Sequence, residues 1–409
     1  MPTIKYVRFF YYTASSLRQA GRRRAVTLIA AGAAAIGLAV AGCSSGSRSD
    51  GSNSSAVISG QAQSGLSAAQ LRQAGANPDV DPGTPLGGGP APNFTLTNQF
   101  GQRMSLSAFR GKVVILAFTD AECTTVCPLT TQSMLAAKQL LGSAGRHVQL
   151  LGVDANPAAN KVSDVMAYSR AHGMVNQWDF LTGSDKQLAA IWKAYHIYVA
   201  IEKGAVDHTP AVFLIGPNGG EQQLYMTSMA YASITQSAQV MAEESAKLLP
   251  GHPALASVRS LSYIRGITPA QKISLATVPS GSITLGPGKA RLFVFFATWL
   301  NQTSDLKAQL LALSKYQHAA ASSGLPGLVA IDEETTEPSP ATVRSFLAGI
   351  GKPLGYPVAV DPTGRVADGY GVQDQPWLVL TSASGKILWK HDGWLSVRKL
   401  TADVRAASR

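Results

Sequence analysis

The segment ILAFTDAECTTVCPLTT, residues 115–131, holds two of the chain's three cysteines, Cys123 and Cys127, with Pro128 directly after them. Two thiols at this spacing can close an inert disulfide, exchange electrons with a partner or hold a soft metal ion. A structural bridge around so small a loop would restrict little of the unfolded chain, because that gain grows with loop length. This weighs for chemistry over stapling. A strand-like run ending near Thr119 delivers Cys123 into a loop and Cys127 into the first turn of a helix, where Pro128 wastes no hydrogen bond. Free N–H groups and the helix dipole favour an anion there, so the Cys127 thiol is expected to have a lowered pKa.

The segment GRRRAVTLIAAGAAAIGLAVAGCSSGS sets the compartment. Arg22–Arg24 form a positive region, Ala25–Val40 an apolar core, and VAGC ends it. This resembles a lipoprotein-type secretory signal over residues 1–42, which makes Cys43 the lipidated first residue of the mature chain; a short uncleaved anchor is the alternative. Either way the remainder is exported, and Cys123 and Cys127 are left alone in an oxidising compartment. The formal charge of +11 is concentrated in the leader: Lys5, Arg8, Arg18, Arg22, Arg23 and Arg24 account for six of 35 basic residues, leaving 29 against 24 acidic ones. No basic tract with interleaved aromatics follows, which excludes a nucleic-acid binder.

A Gly-, Ser- and Pro-rich stretch at 43–87 reads as a disordered tether. From there the pattern over 88–250 is β-α-β-α-β-β-α: a mixed sheet with helices on both faces. The pattern breaks at 251–271, and a second copy of the same architecture fills 272–409.

At Cys123, Cys127 and the segment VDHTPAVFLIGPNG the first domain resembles the Sco/SenC family of thioredoxin-like copper proteins. The shared features are Phe118-Thr119 before the cysteines, the Cys-x3-Cys-Pro spacing, Gly152–Asp154 at a strand end, and Asp207–Thr209. The chain departs from the family in Asp120, Ala121 and Glu122 before Cys123, and in Thr124, Thr125 and Val126 between the cysteines. The resemblance implies that Cys123, Cys127 and His208 bind copper, a soft-plus-borderline donor set suited to Cu(I) and acceptable to Cu(II). It implies Asp207, and more weakly Asp154, as outer groups around the imidazole. It also implies a cis Pro210 that turns His208 over the thiols. The family is associated with building the dinuclear copper centre of cytochrome c oxidase, and some members reduce thiols.

The second domain resembles thioredoxin-like proteins of the cytochrome-maturation type. In FFATWLNQTSDL, Leu300 and Thr303 stand at the cysteine positions, and Gln375-Pro376 resembles the fold's cis-proline pair. The expected fold is therefore α/β, with two tandem thioredoxin-like domains, the second a redox-dead copy kept for packing or docking. Trp299 and Trp377 read as packing residues. His147, His172, His196, His252, His318 and His391 read as ordinary histidines.

Two functions follow. One is a lipid-anchored copper chaperone on the outer face of the cell membrane, handing copper to the copper-bearing subunit of cytochrome c oxidase by ligand exchange. The other is an extracytoplasmic thiol–disulfide oxidoreductase in which Cys123, expected nearer solvent, attacks and Cys127 resolves. A peroxidase lacks a recognisable acid-stabilising pocket, and intact ligands argue against a purely docking role.

Overall fold

The computed structural model describes residues 75–202 and 205–409. The expected signal, the lipidation site Cys43 and most of the tether lie outside them. Among the described residues no helix is long and apolar enough to cross a membrane.

The first domain contains strands β1 (Thr84–Pro85), β2 (Thr95–Asn98), β3 (Arg103–Ser105), β4 (Val113–Thr119), β5 (Val148–Asp154), β6 (Asp179–Thr182), β7 (Val199–Glu202), β8 (Ala205–His208), β9 (Ala211–Ile215) and β10 (Glu221–Met226). Its helices are α1 (Val126–Leu140), α2 (Val162–Ala171), α3 (Asp185–Ala194) and α4 (Ile234–Leu248). The sheet order is β1-β10-β9-β4-β5-β6-β2-β3, with β7 and β8 forming a separate hairpin. Every residue of β4 is buried, as the unbroken run VVILAFT requires of a strand covered on both faces. It runs parallel to β5 and antiparallel to β9, so the sheet is mixed. Phe94, Phe118, Tyr195 and Phe213 pack edge-on or tilted in the core on one face.

The second domain contains β11 (Ile273–Val278), β12 (Ser282–Leu285), β13 (Arg291–Phe296), β14 (Gly327–Asp332), β15 (Val358–Val360), β16 (Trp377–Thr381) and β17 (Ile387–Asp392), with α5 (Leu306–Ser323), α6 (Pro340–Ala348), α7 (Arg365–Tyr370) and α8 (Val397–Ala407). Its order, β12-β11-β15-β14-β13-β16-β17, repeats the β5-β4-β9-β10 neighbourhood of the first sheet as β14-β13-β16-β17. The protein is thus two tandem α/β thioredoxin-like domains, each a central mixed sheet flanked by helices.

Part of the expected tether is folded. β1 pairs with β10, and the buried Asn77 donates to Gln236 on α4 at 2.5 Å. A short polar stretch orders here because its backbone completes a sheet edge. Segment 251–271 is likewise held, since Gln239 and Gln236 donate to the carbonyls of Arg259, Ser260 and Ser262.

The two domains share a core. Leu129 of α1, Tyr231 and Ile234 pack in one cluster with Phe293, Phe295, Val329 and Val379 of the second sheet. Polar residues on α1 are consequently buried, and each finds a partner: Thr131 donates to Cys127 O, Gln132 to His172 O and Ser133 to Ile234 O. Asp368 of α7 accepts the N–H groups of Tyr231 and Ala232 at 2.8 and 3.1 Å. His172, read from sequence as ordinary, is buried between Tyr168 and Trp299.

Candidate metal centre

β4 ends at Thr119 and its chain enters a loop organised by Asp120. This buried carboxylate accepts the Glu122 N–H at 2.8 Å and the Asn156 side-chain amide at 2.7 Å, while the Asp120 carbonyl accepts the Cys123 N–H at 3.2 Å. The turn aims Cys123 at the start of α1. There its sulfur takes the Cys127 N–H at 3.4 Å, and the Thr125 hydroxyl lies 3.4 Å from it. Cys123 thereby occupies one of the donors that a helix start leaves open, which neither Thr125 nor Pro128 satisfies.

His208 arrives from the far end of the β7–β8 hairpin. Alternation along β8 buries Val206 and His208 and leaves Asp207 half-buried on the opposite face. Cys127 Sγ and His208 Nε2 stand 3.5 Å apart across 81 residues of sequence. His208 Nδ1 lies 3.1 Å from the Thr209 carbonyl, which can only accept, so the ring proton sits on Nδ1. The Nε2 lone pair is left facing the sulfur. Burial pulls the His208 pKa down to about 4, so the imidazole is neutral at pH 7, the form that ligates metals.

Cys123, Cys127 and His208 are thus adjacent, each no more than 2% exposed, and both thiols are free. Two expectations about the thiols do not hold. Cys123 is no nearer solvent than Cys127, because the second domain packs over the loop. Burial, with Cys123 and then the Asp120 carboxylate adding to it, pushes the Cys127 thiol well above its ordinary value, outweighing the helix start.

The remaining expectations sort differently. Asp154 is fully buried and accepts the Asn156 N–H at 3.0 Å and the Thr182 hydroxyl at 3.4 Å. It reaches the cysteine loop only through Asn156 and Asp120. Asp207 lies across the strand from His208. The cis peptide bonds among the described residues are Val278–Pro279 and Gln375–Pro376, so Pro210, expected cis, is corrected. The Ala211 N–H instead bonds the Thr209 carbonyl at 2.9 Å, a tight turn centred on Pro210 whose fixed φ suits it. Sequence reading missed Asp120 and Asn156 as the residues that shape the loop; the departure from the family at Asp120, Ala121 and Glu122, about two residues longer than usual, was the available signal.

The donor chemistry fits a soft ion: the Cys127 sulfur and a neutral imidazole nitrogen face each other at 3.5 Å with the Cys123 sulfur beside them, all three buried. Among the described residues no group of three or more His, Cys, Asp and Glu side chains already stands in metal-holding arrangement. Cys123 Sγ, which takes the Cys127 N–H, also lies within hydrogen-bonding reach of the Cys127 thiol.

Comparison with known proteins places the first domain. Residues 88–243 match the SCO1/SenC family model. The SCO1 protein homolog of Bacillus subtilis (strain 168) is 28% identical over 132 residues, 31% of this chain and 68% of the relative. The mitochondrial SCO2 homolog of Bos taurus is 26% identical over 159 residues, 36% of this chain and 57% of its own length. Among solved structures, a SCO1/SenC family lipoprotein from Bacillus anthracis str. Ames is 25% identical with a TM-score of 0.33, covering 39% of this chain and 98% of that one. Residues 88–243 therefore form a Sco/SenC-like thioredoxin-fold domain, and a second thioredoxin-like sheet domain follows it.

Proposed function

We propose that this chain is a copper chaperone of the extracytoplasmic membrane face, anchored by lipid on Cys43. Copper is its cargo, held by Cys123, Cys127 and His208 and passed by ligand exchange to the copper-bearing subunit of cytochrome c oxidase. The observation that carries the reading is the 3.5 Å approach of His208 Nε2 to Cys127 Sγ, with the ring proton on the other nitrogen. A stapling disulfide has no need of an imidazole lone pair at that place. The match of residues 88–243 to the SCO1/SenC model supports the same reading.

Cys127 is a neutral thiol in the apo site, so loading releases its proton and copper affinity rises with pH. The raised thiol keeps the empty site from reacting, and the metal supplies the driving force for deprotonation. A second reading, thiol–disulfide exchange, is favoured by the free and adjacent thiols.

Anaerobic titration of the reduced full chain with Cu(I) against a chromogenic chelator separates the two. The chaperone reading expects one tightly held ion per chain, lost in Cys123→Ser and in Cys127→Ser. Absence of retained copper together with normal disulfide exchange selects the oxidoreductase.

A further inference from the structure

The spacer between the two cysteines is not held by its own domain alone. Thr124, directly after Cys123 and 7% exposed, donates its hydroxyl to Asp374 Oδ1 of the second domain at 2.5 Å. The two residues lie 250 positions apart. Asp374 is 3% exposed, and the same oxygen takes the Gln375 N–H at 2.6 Å, immediately before the Gln375–Pro376 bond. Burial and the neighbouring Asp392 raise the Asp374 carboxyl to about 8, so it is neutral at pH 7 and no bare charge is buried at the contact. Around it the interface is continuous: Trp299 lies on His172, and Leu129 of α1 packs among second-sheet side chains. The face on which this domain has Leu300 and Thr303 in place of cysteines is therefore turned toward the cysteines of the other domain.

We propose that Asp374 is a positioning residue for the Cys123–Cys127 pair, acting through the Thr124 hydroxyl, so that the cysteine-free domain sets how readily the thiols close to a disulfide or take up copper. The copper arm rests on the proposed function; the disulfide arm needs only the two thiols. The conformation that the bond pins is the dithiol, with Cys123 Sγ on the Cys127 N–H. Oxidation must pull the two free sulfurs together to bonding distance, about 2 Å, and so move the spacer that Thr124 anchors. The bond therefore favours the reduced form, and losing it favours the disulfide. A buried hydrogen bond whose removal strands a partner alters such an equilibrium by about tenfold.

The test uses the full-length protein as Asp374→Ala, Thr124→Val, the double variant and Thr124→Ser, each equilibrated with reduced and oxidised dithiothreitol. In this reaction two electrons and two protons pass from Cys123 and Cys127 to the oxidised reagent, whose S–S bond breaks as the protein's forms. Asp374→Ala and Thr124→Val are expected to shift the equilibrium about tenfold toward the disulfide, which is about 30 mV more reducing. The double variant should shift no further than Asp374→Ala, because that change already removes the bond that Thr124→Val removes. Thr124→Ser, which keeps the hydroxyl, should match wild type. Copper affinity should fall about tenfold in the same variants, because the bond holds both sulfurs reduced and side by side where the ion would take them. A cooperatively melting Asp374→Ala with the wild-type equilibrium overturns the proposal, as do additive effects in the double variant. If Asp374→Ala does not fold, equal equilibria in Thr124→Val and Thr124→Ser overturn it. If wild type holds no copper, the proposed function fails and the disulfide arm still decides this one.

Discussion

The ring of His172, at the end of α2, lies 5.0 Å from the ring of Trp299 in the second domain, and its Nδ1 has no hydrogen-bond partner. Burial lowers the His172 pKa to about 3, against about 6.5 in an unfolded chain. The unfolded chain thus takes up the proton first. This group's contribution is complete above pH 6.5 and is lost as pH falls from there toward about 3. Relative to His172→Phe, which keeps a ring against Trp299, wild type should lose on the order of 3 kcal/mol by about pH 4 and nothing above about pH 7. Urea unfolding of both proteins across this range checks it, and parallel pH profiles would contradict it.

The shared core makes the first domain dependent on the second. Leu129 and Tyr231 are each 1% exposed in the full chain, and each loses roughly 2 kcal/mol of burial when the second domain is removed. Fragment 75–250 should therefore melt at lower temperature than the full chain and bind a hydrophobic dye. Within the full chain, Asp368→Ala strands the N–H groups of Tyr231 and Ala232 and should cost about 2–4 kcal/mol. A fragment as stable as the whole, or a cost under about 0.5 kcal/mol for Asp368→Ala, would count against a shared core.

Both thiols are buried and Cys127 is held protonated, so the reduced apo protein should be slow to alkylate. Iodoacetamide at pH 8 should label the native chain at least about a hundredfold more slowly than the urea-unfolded chain, with reaction passing through local opening of the loop. Native labelling within a few-fold of the unfolded rate would mean that the loop stands open in solution.

His208→Ala should divide metal holding from thiol chemistry. Loss of a direct donor costs more than loss of an outer one, so copper affinity should drop by at least about a hundredfold. Exchange with oxidised dithiothreitol should stay within about threefold, since the imidazole forms and breaks no sulfur bond. An equal collapse of both activities would give His208 a structural or acid–base role instead.

The parts that were legible in the sequence are those set by local pattern. VVILAFT could only be a strand buried on both faces, and the apolar spacing after Cys127 marks α1; the structure has both. The repeated architecture was also readable, since each copy builds its sheet from similar short runs. The β7–β8 hairpin was not read, although it carries His208. Its strands are four residues each, pair only with one another and show no long apolar run. β6 was missed for the same reason, being four residues long and placed by its neighbours. The Thr124–Asp374 bond, and the burial that raises the Cys127 thiol, depend on how two domains meet. No spacing within either domain encodes that.

The most direct test of the account is the copper X-ray absorption spectrum of the loaded, reduced full chain, compared with that of His208→Ala. Two sulfur donors and one imidazole nitrogen, the nitrogen vanishing in the variant, are expected. A first shell lacking nitrogen, or one unchanged by the substitution, would contradict the convergence of Cys123, Cys127 and His208 on one ion.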